Sequence, residues 1–392
     1  MKYFLVGIKG TGMSALACYL YDLGNIVKGS DIGDYQFNKE LMKRRIEVYD
    51  FDTYEFTNDY IYIIGNAYNE EFTEVQKIIR NNYEYYFYHE YISTIKTFSI
   101  AVSGTHGKTT TTKFLTDLLY KEPISYIIGD GTGLGNKDNT YFIYEACEYK
   151  NHFLSYHPDI LLITNIDYDH PDFYSSIDDV KKSFEKARSN ANKVITINKD
   201  EYKILNENDK GFVVSFQNEI YIFPMPGIKY LEDYLLCVKT LKYLGYSHNY
   251  IKEATNNISL PLRRTTEKKI NNSIIIEDFA HHPTEINALL LYIKQKYPEY
   301  KTICFFQPHT YSRTFKFYKE FIHTLNKFDE IYIDKVFTSK REPFDLVKEY
   351  KTILLFSLFK KYNNETLKDI NTFDKQIIIL LGAGDINKRF LK

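Results

Sequence analysis

Short apolar runs separated by amphipathic and polar stretches recur along the whole chain, and their spacing predicts strands alternating with helices. Tyr3 to Val6, Ile26 to Lys28 and Tyr60 to Ile64 are strand-like, with a helical stretch after Gly12. Tyr141 to Tyr144 and Asp159 to Thr164 read as further buried strands. Ile274 to Ile276, Thr302 to Phe306, Glu330 to Ile333 and Gln376 to Leu381 repeat the alternation, each followed by polar or glycine residues. Continuous apolar strands interleaved with helices imply the α/β class with parallel sheets. Open sheets of that kind bind ligands outside the carboxyl ends of their strands, so the residues following each strand are where chemistry is expected.

At 392 residues the chain exceeds a single core. Three domains are expected: residues 1–95, 96–260 and 261–392. Asn206 to Lys210, Asn271 to Ser273 and Asn363 to Glu365 read as solvated turns. A net charge of -1 gives no global basic field, so neither nucleic acid nor an anionic membrane is an expected partner. Cys18, Cys147, Cys237 and Cys304 are scattered without a Cys-x-x-Cys pair, which argues against a disulfide framework or structural zinc and suits a reducing cytosol. Met1 leads straight into a strand and no apolar run reaches about 18 residues, so a cytoplasmic protein is expected. The 37 Tyr and 28 Phe, against no Trp, spread through the whole chain, and coding bias explains them better than a recognition surface.

The richest run is Ala101-Val102-Ser103-Gly104-Thr105-His106-Gly107-Lys108-Thr109-Thr110, an apolar strand emptying into a glycine loop that ends in Lys-Thr-Thr. In such a loop the glycines turn backbone N–H groups toward phosphate oxygens, Lys108 supplies a point charge, and the Thr109 hydroxyl is placed to ligate Mg²⁺. A helix from about Thr111 to Tyr120 is expected to aim its positive end at the same anion. The run Gly104 to Thr110 is therefore the expected ATP cradle.

Near the start, Gly7-Ile8-Lys9-Gly10-Thr11-Gly12-Met13-Ser14 also follows a strand and opens a helix, with Asp31 at the end of the next strand placed to take a ribose hydroxyl. Its Gly-x-x-Gly-x-Gly spacing differs from the Gly-x-Gly-x-x-Gly of hydride-transfer sites, which favours a nucleotide diphosphate over NAD. After the phosphate loop come Glu145-Ala146-Cys147-Glu148 and Thr164-Asn165-Ile166-Asp167-Tyr168-Asp169-His170. Hard oxygen ligands with one imidazole suit magnesium beside a triphosphate, Glu145 being the first ligand; a capping or ion-pair role is the alternative, more so for Glu148. In the last third, Glu277 to Glu285 contains His281-His282-Pro283, and Phe306 to Thr314 contains His309 and Arg313. Adjacent histidines point apart and show no third zinc ligand, leaving proton handling, helix capping or substrate contact. The Arg263-Arg264 pair reads as solvated surface or as a reach toward the ATP phosphates.

Together these runs resemble the Mur ligase family. The resemblance spans nearly the full length: Gly7 to Ala17, Ser103 to Thr112, Phe153-Leu154 with His157-Pro158-Asp159, Thr164 to His170, Asp278 to Glu285, Gln307 to Thr314 and Gly382 to Ile386. The first and third segments narrow it to the branch that adds L-alanine to UDP-N-acetylmuramate. The resemblance implies a three-domain architecture: a Rossmann-like N-terminal domain for the UDP-sugar, a P-loop ATPase central domain for ATP and Mg²⁺, and a Rossmann-like C-terminal domain for the amino acid. It implies catalytic roles for Lys108, Glu145, His170, Arg264 and Asp278, and metal ligation by Thr109, Glu145 and His170. Gly7, Gly10, Gly12, Met13, Ser14, Asp31, His281, His282, His309 and Arg313 are the implied substrate contacts, and a monomer or weak homodimer is expected.

Three departures stand out. Glu145-Ala146-Cys147-Glu148-Tyr149 replaces the Glu-Ala-Asp-Glu-Ser of many relatives. Gly227-Ile228-Lys229-Tyr230-Leu231-Glu232-Asp233 stands where the family offers Gly-x-His-Asn-x-x-Asn to the base and ribose. A strand-rich insert between about Asp200 and Pro226 is shortened. The alternatives are a ligase adding a recycled peptide to the same UDP-sugar, a catalytically silent nucleotide binder, and an NAD-dependent oxidoreductase.

Overall fold

Four apolar stretches of the N-terminal region pair as parallel strands around Lys2–Val6, with Ile26–Ser30 on one side and Ile61–Ile64 on the other. Glu47–Tyr49 and Tyr85–Phe87 form the edges. The computed structural model describes residues 1–32, 38–338, 342, 344–361 and 375–386, so the turn expected at Asn363 to Glu365 lies outside the described residues. Side chains alternate across a strand, so Phe4 and Val6 share one face. That face is packed with Tyr62, Ile78 and a ring of partly buried aromatics including Tyr49, Tyr54, Phe56 and Tyr83. Phe4 stacks on Tyr54 at 4.5 Å between centroids. Here the aromatic-rich composition serves as core packing.

A second sheet has the order Lys193–Ile195, Ile160–Ile163, Ser99–Ser103, Tyr141–Glu145, Ile124–Ile127, Gly133–Leu134, parallel except for the last pair. In its register Ser103 faces Ile163 and Val102 faces Glu145, so three strands end side by side. These two sheets lie in one compact body, Met1–Asp167 with Asp178–Ile197 and Asp233–Ser259. Within it the helix Thr11–Asp22 runs against the Gly133–Leu134 strand so closely that a Cβ on Gly133 would overlap the Ala15 carbonyl. Arg44 fixes the same contact, pairing with Asp22 at 2.8 Å and donating to the Gly133 carbonyl at 3.2 Å.

The other body comprises Tyr168–Ile177, Asn198–Glu232 and Leu260–Lys392. It holds a three-stranded antiparallel sheet, Tyr202–Asn208, Gly211–Phe216 and Glu219–Phe223, in the region expected to carry the shortened insert. It also holds a six-stranded sheet ordered Thr266–Ile270, Ser273–Asp278, Gln376–Leu381, Lys301–Phe306, Glu330–Ile333, Lys360–Lys361. Alternate residues of its central strands feed two cores: Ile274, Ile276, Cys304, Phe306, Ile377 and Ile379 on one face, Ile275, Ile303, Phe305 and Ile378 on the other. A strand buried on both faces has to be apolar throughout, which is why these runs show no alternation in sequence.

Tyr168–Ile177 joins this body through Tyr168, whose ring meets Phe317 edge-on at 5.6 Å, and through Asp169. The Asp169 carboxylate takes both arms of Arg313 at 2.8 and 3.1 Å, with both side chains buried. Burial works to raise its pKa, but the Arg313 guanidinium prevails and holds it well below the usual aspartate range. No helix among the described residues is long and apolar enough to cross a membrane.

Gly133→Ala is expected to lower unfolding free energy by about 1–3 kcal/mol in urea melts, through overpacking against the Ala15 backbone. Asp169→Ala, which strands a buried guanidinium, is expected to cost about 3–5 kcal/mol at neutral pH. Because the folded carboxyl titrates below the unfolded one, its contribution is complete above about pH 4 and is lost as pH falls through the folded pKa. The gap between wild type and Asp169→Ala in urea melts should therefore narrow on acidification.

Candidate functional site

The phosphate loop begins where the buried strand Ser99–Ser103 ends, and Gly107 closes it at φ 83°, a left-handed conformation that glycine adopts without a Cβ clash. Gly107 caps the helix Lys108–Leu118, which starts three residues earlier than Thr111, the expected first residue. Lys108 and Thr109 thus occupy the first turn, whose N–H groups have no intrahelical acceptor. The strand end after Ile163 clamps the loop. Thr105 N donates to the Asn165 carbonyl at 3.0 Å and His106 N to the Asn165 side chain at 3.1 Å. Thr105 Oγ1 accepts from Asp167 N at 2.9 Å, and His106 Nε2 lies 3.3 Å from the Asp167 carboxylate.

Thr109 Oγ1 donates to Glu145 at 3.1 Å, bringing two predicted metal ligands together at adjoining strand ends. Glu145 also accepts from Gly129 N at 2.5 Å. Burial pushes the Glu145 carboxyl up, against the opposing pull of the Gly129 amide and Lys108. Lys108 Nζ reaches Glu148 at 2.8 Å and donates to the carbonyls of Gly104 and Thr105. Burial alone would lower its pKa, but Glu148 and the neighbouring groups outweigh it and keep the ammonium charged.

In the N-terminal sheet, Gly7 N donates to the Ser30 carbonyl at 2.8 Å, and Gly10 caps the helix that begins at Thr11. Asp31 is buried and braces the loop, accepting from Lys9 N and Ile32 N at 2.8 Å each. Met13 and Ser14 are buried in the helix's first turn, and the Ser14 hydroxyl has no hydrogen-bond partner among the described residues. The Tyr68 ring lies over Gly7 and that of Tyr88 over Gly12. Neither tyrosine was signalled by spacing, since both reach the loop from other strand ends.

The remaining predicted residues lie in the other body. His170 takes a left-handed backbone, φ 54°, beside Asp169. His309 Nδ1 lies 2.9 Å from Arg313, and the His281 ring meets His309 edge-on at 5.2 Å. His281 approaches Glu285 at 3.4 Å, and Arg264 approaches the same carboxylate at 3.8 Å. Burial drives the His281 pKa down to about 3, so its imidazole is neutral at physiological pH. His282 Nδ1 accepts from Thr284 N and so caps the helix Pro283–Lys296, one of the three roles weighed for the pair. Asp278 is buried, accepts from Thr265 N and Ala280 N at 2.7 Å, and is raised by burial. Arg263 is bound by Glu277 and the carbonyls of Gly382 and Gly384, so it is not solvated surface.

Sequence reasoning quoted Asp169 and Glu285 within their runs but gave them no role; the folded body places them against Arg313, His281 and Arg264. Sequence reasoning missed a polar cluster in the first body. Asn66 Oδ1 contacts His89 Nδ1 at 2.9 Å and Asn66 Nδ2 contacts His152 Nδ1 at 3.0 Å, with the two imidazoles stacked at 4.4 Å. Their separation in sequence carries no local signal.

Known proteins share this fold. The chain is similar over its full length to the UDP-N-acetylmuramate-alanine ligase MurC of Thermotoga maritima, with 24% identity, 98% of that chain covered and a TM-score of 0.82. It is similar in the same way to the murein peptide ligase of Psychrobacter arcticus, with 19% identity, 100% and 98% of the two chains covered and a TM-score of 0.70. The MurF ligase of Thermotoga maritima in complex with ADP is 13% identical, with 93% of each chain covered and a TM-score of 0.61. Residues 2–97 match the Mur ligase family, catalytic domain, and residues 102–222 match the Mur ligase middle domain. The chain belongs to the Mur ligase family of ligases.

Proposed function

We propose that the chain is an ATP-dependent ligase that joins L-alanine to the carboxylate of UDP-N-acetylmuramate in cytoplasmic peptidoglycan precursor synthesis. The observation that carries this reading is the meeting of Lys108, Thr109 and Glu145 at the amino end of one helix. Likeness over the whole chain to an alanine-adding ligase supports the choice of substrate. The domains proposed are 1–95 for the UDP-sugar, 96–260 for ATP and 261–392 for the amino acid, in a monomer or weak homodimer.

A hydroxyl and a carboxylate 3.1 Å apart beside a lysine form a hard oxygen set that fits Mg²⁺. Bound there, Mg²⁺ would neutralise charge on the phosphoryl oxygens. His170 is proposed as a ligand of a second ion. The Gly7 to Ser14 loop, braced by Asp31, would take the UDP diphosphate, with the Ser14 hydroxyl as a donor in reserve.

A carboxylate resists attack by an amine until one of its oxygens becomes a leaving group. Transfer of the terminal phosphoryl of ATP to the UDP-N-acetylmuramate carboxylate makes an acyl phosphate and leaves ADP. Lys108 meets the charge that builds on the transferring group, and the first-turn N–H groups hold the remaining phosphates. The alanine amine then attacks the acyl carbon, and the tetrahedral adduct collapses to an amide with loss of phosphate. Arg264 and Arg313 would hold carboxylate or phosphate oxygens, and Asp278, His282 and His309 would contact the amino-acid substrate. With a pKa of about 3, His281 suits contact with the substrate better than proton uptake.

Purified protein with UDP-N-acetylmuramate, ATP and Mg²⁺ should release phosphate only when L-alanine is added. Release with a tripeptide and none with L-alanine would assign the chain to peptide recycling, and ATP binding without turnover would make it a silent binder. Lys108→Ala is expected to cut turnover by roughly 10²- to 10³-fold or more with an unchanged circular dichroism spectrum.

A further inference from the structure

The ammonium of Lys108 has three N–H donors, and the protein offers it three acceptors: the Glu148 carboxylate and the carbonyls of Gly104 and Thr105. A phosphate oxygen can gain a bond to this lysine only by displacing one of them. The carbonyls belong to the loop backbone, which Asn165 holds in place, so the carboxylate is the partner that can be exchanged. We propose that Glu148 is a positioning residue that holds Lys108 within the phosphate loop and competes with nucleotide for it. Loading ATP releases the lysine to the terminal phosphate, and Glu148 recovers it as ADP departs. This rests on the reading of Gly104 to Thr110 as the ATP site.

The backbone around Glu148 is built to hold it. Its side chain is 2% exposed. Lys150 and Asn151, just beyond it, both take left-handed conformations at φ 54° and 61°, which asparagine visits readily but lysine keeps only where its surroundings enforce it. Asn151 N donates back to the Glu148 carbonyl at 3.0 Å. The Asn151 side chain is bonded to Ser183, and His152 is tied to Asn66. Glu148 is therefore set from a pinned, strained turn, whereas an incidental ion pair needs no such support.

The test is direct binding of a non-hydrolysable ATP analogue with Mg²⁺, without the other substrates, to wild type, Glu148→Gln, Lys108→Met and the double variant. Glu148→Gln should tighten binding by about tenfold, the scale of one charge-assisted bond no longer competing. The same change in the Lys108→Met background should have no effect, since the cycle isolates the coupling. In turnover, Glu148→Gln should lower both KM for ATP and kcat, because ADP is held longer. Glu148→Asp keeps the charge but draws it back by one methylene, so it serves if Glu148→Gln does not fold; its gain should be about two- to threefold. Equal or weaker analogue binding by the folded variants, or the same gain without Lys108, overturns the inference. Failure of wild type itself to bind the analogue would instead overturn the ATP-site reading.

Discussion

A lysine ammonium buried at the end of a parallel sheet keeps its charge only if acceptors surround it, and much of the first body serves that condition. Gly107 turns the chain so that Lys108 enters the first turn of a helix. Asn165 and Asp167, from the neighbouring strand end, grip the loop backbone through Thr105 and His106. Glu148 and two loop carbonyls complete the shell. The sheet register makes this possible: Ser103, Ile163 and Glu145 finish at one edge, so residues about 40 to 60 positions apart in sequence meet without long side-chain reach.

The fold was legible because parallel strands buried on both faces must be apolar along their length. Gln376–Leu381 and Lys301–Phe306 stand out in the sequence and pair in the structure. Boundaries were less legible. The helix after the phosphate loop begins at Lys108, capped by Gly107 at little cost, whereas the modest helical propensity of Thr109 and Thr110 gave no local sign of so early a start. In the candidate site, Lys108, Thr109 and Glu145 could be singled out from local chemistry alone, because Lys108 and Thr109 close the glycine loop that follows one strand and Glu145 ends another. Tyr68, Tyr88 and the Asn66, His89 and His152 cluster could not, since their meeting depends on tertiary packing between strand ends.

In the second body the histidines and arginines are organised by carboxylates that the sequence does not mark out. Asp169 takes Arg313, leaving the guanidinium arm toward His309 fixed in direction. Glu285 lies close to both Arg264 and His281. Oriented guanidinium groups of this kind bind carboxylate or phosphate at lower entropic cost than mobile ones, which suits the substrate-holding role proposed for them.

The departure at Gly227 to Asp233 fits the same logic. The Tyr230 hydroxyl meets Thr265 Oγ1 at 2.6 Å, and Thr265 in turn donates to Asp278. The Asp233 carboxylate packs so closely on Gly107 that a Cβ there would be 2.7 Å from its oxygen. At these positions Tyr230 and Asp233 are engaged with the protein's own loops. An aspartate against the amino end of the phosphate-loop helix favours the helix dipole but repels phosphate. On the proposed reading, affinity for nucleotide would come mainly from the loop amides, Lys108 and a divalent cation. A phosphate site with less help from the base would depend more heavily on Lys108, the ammonium proposed to exchange between carboxylate and nucleotide.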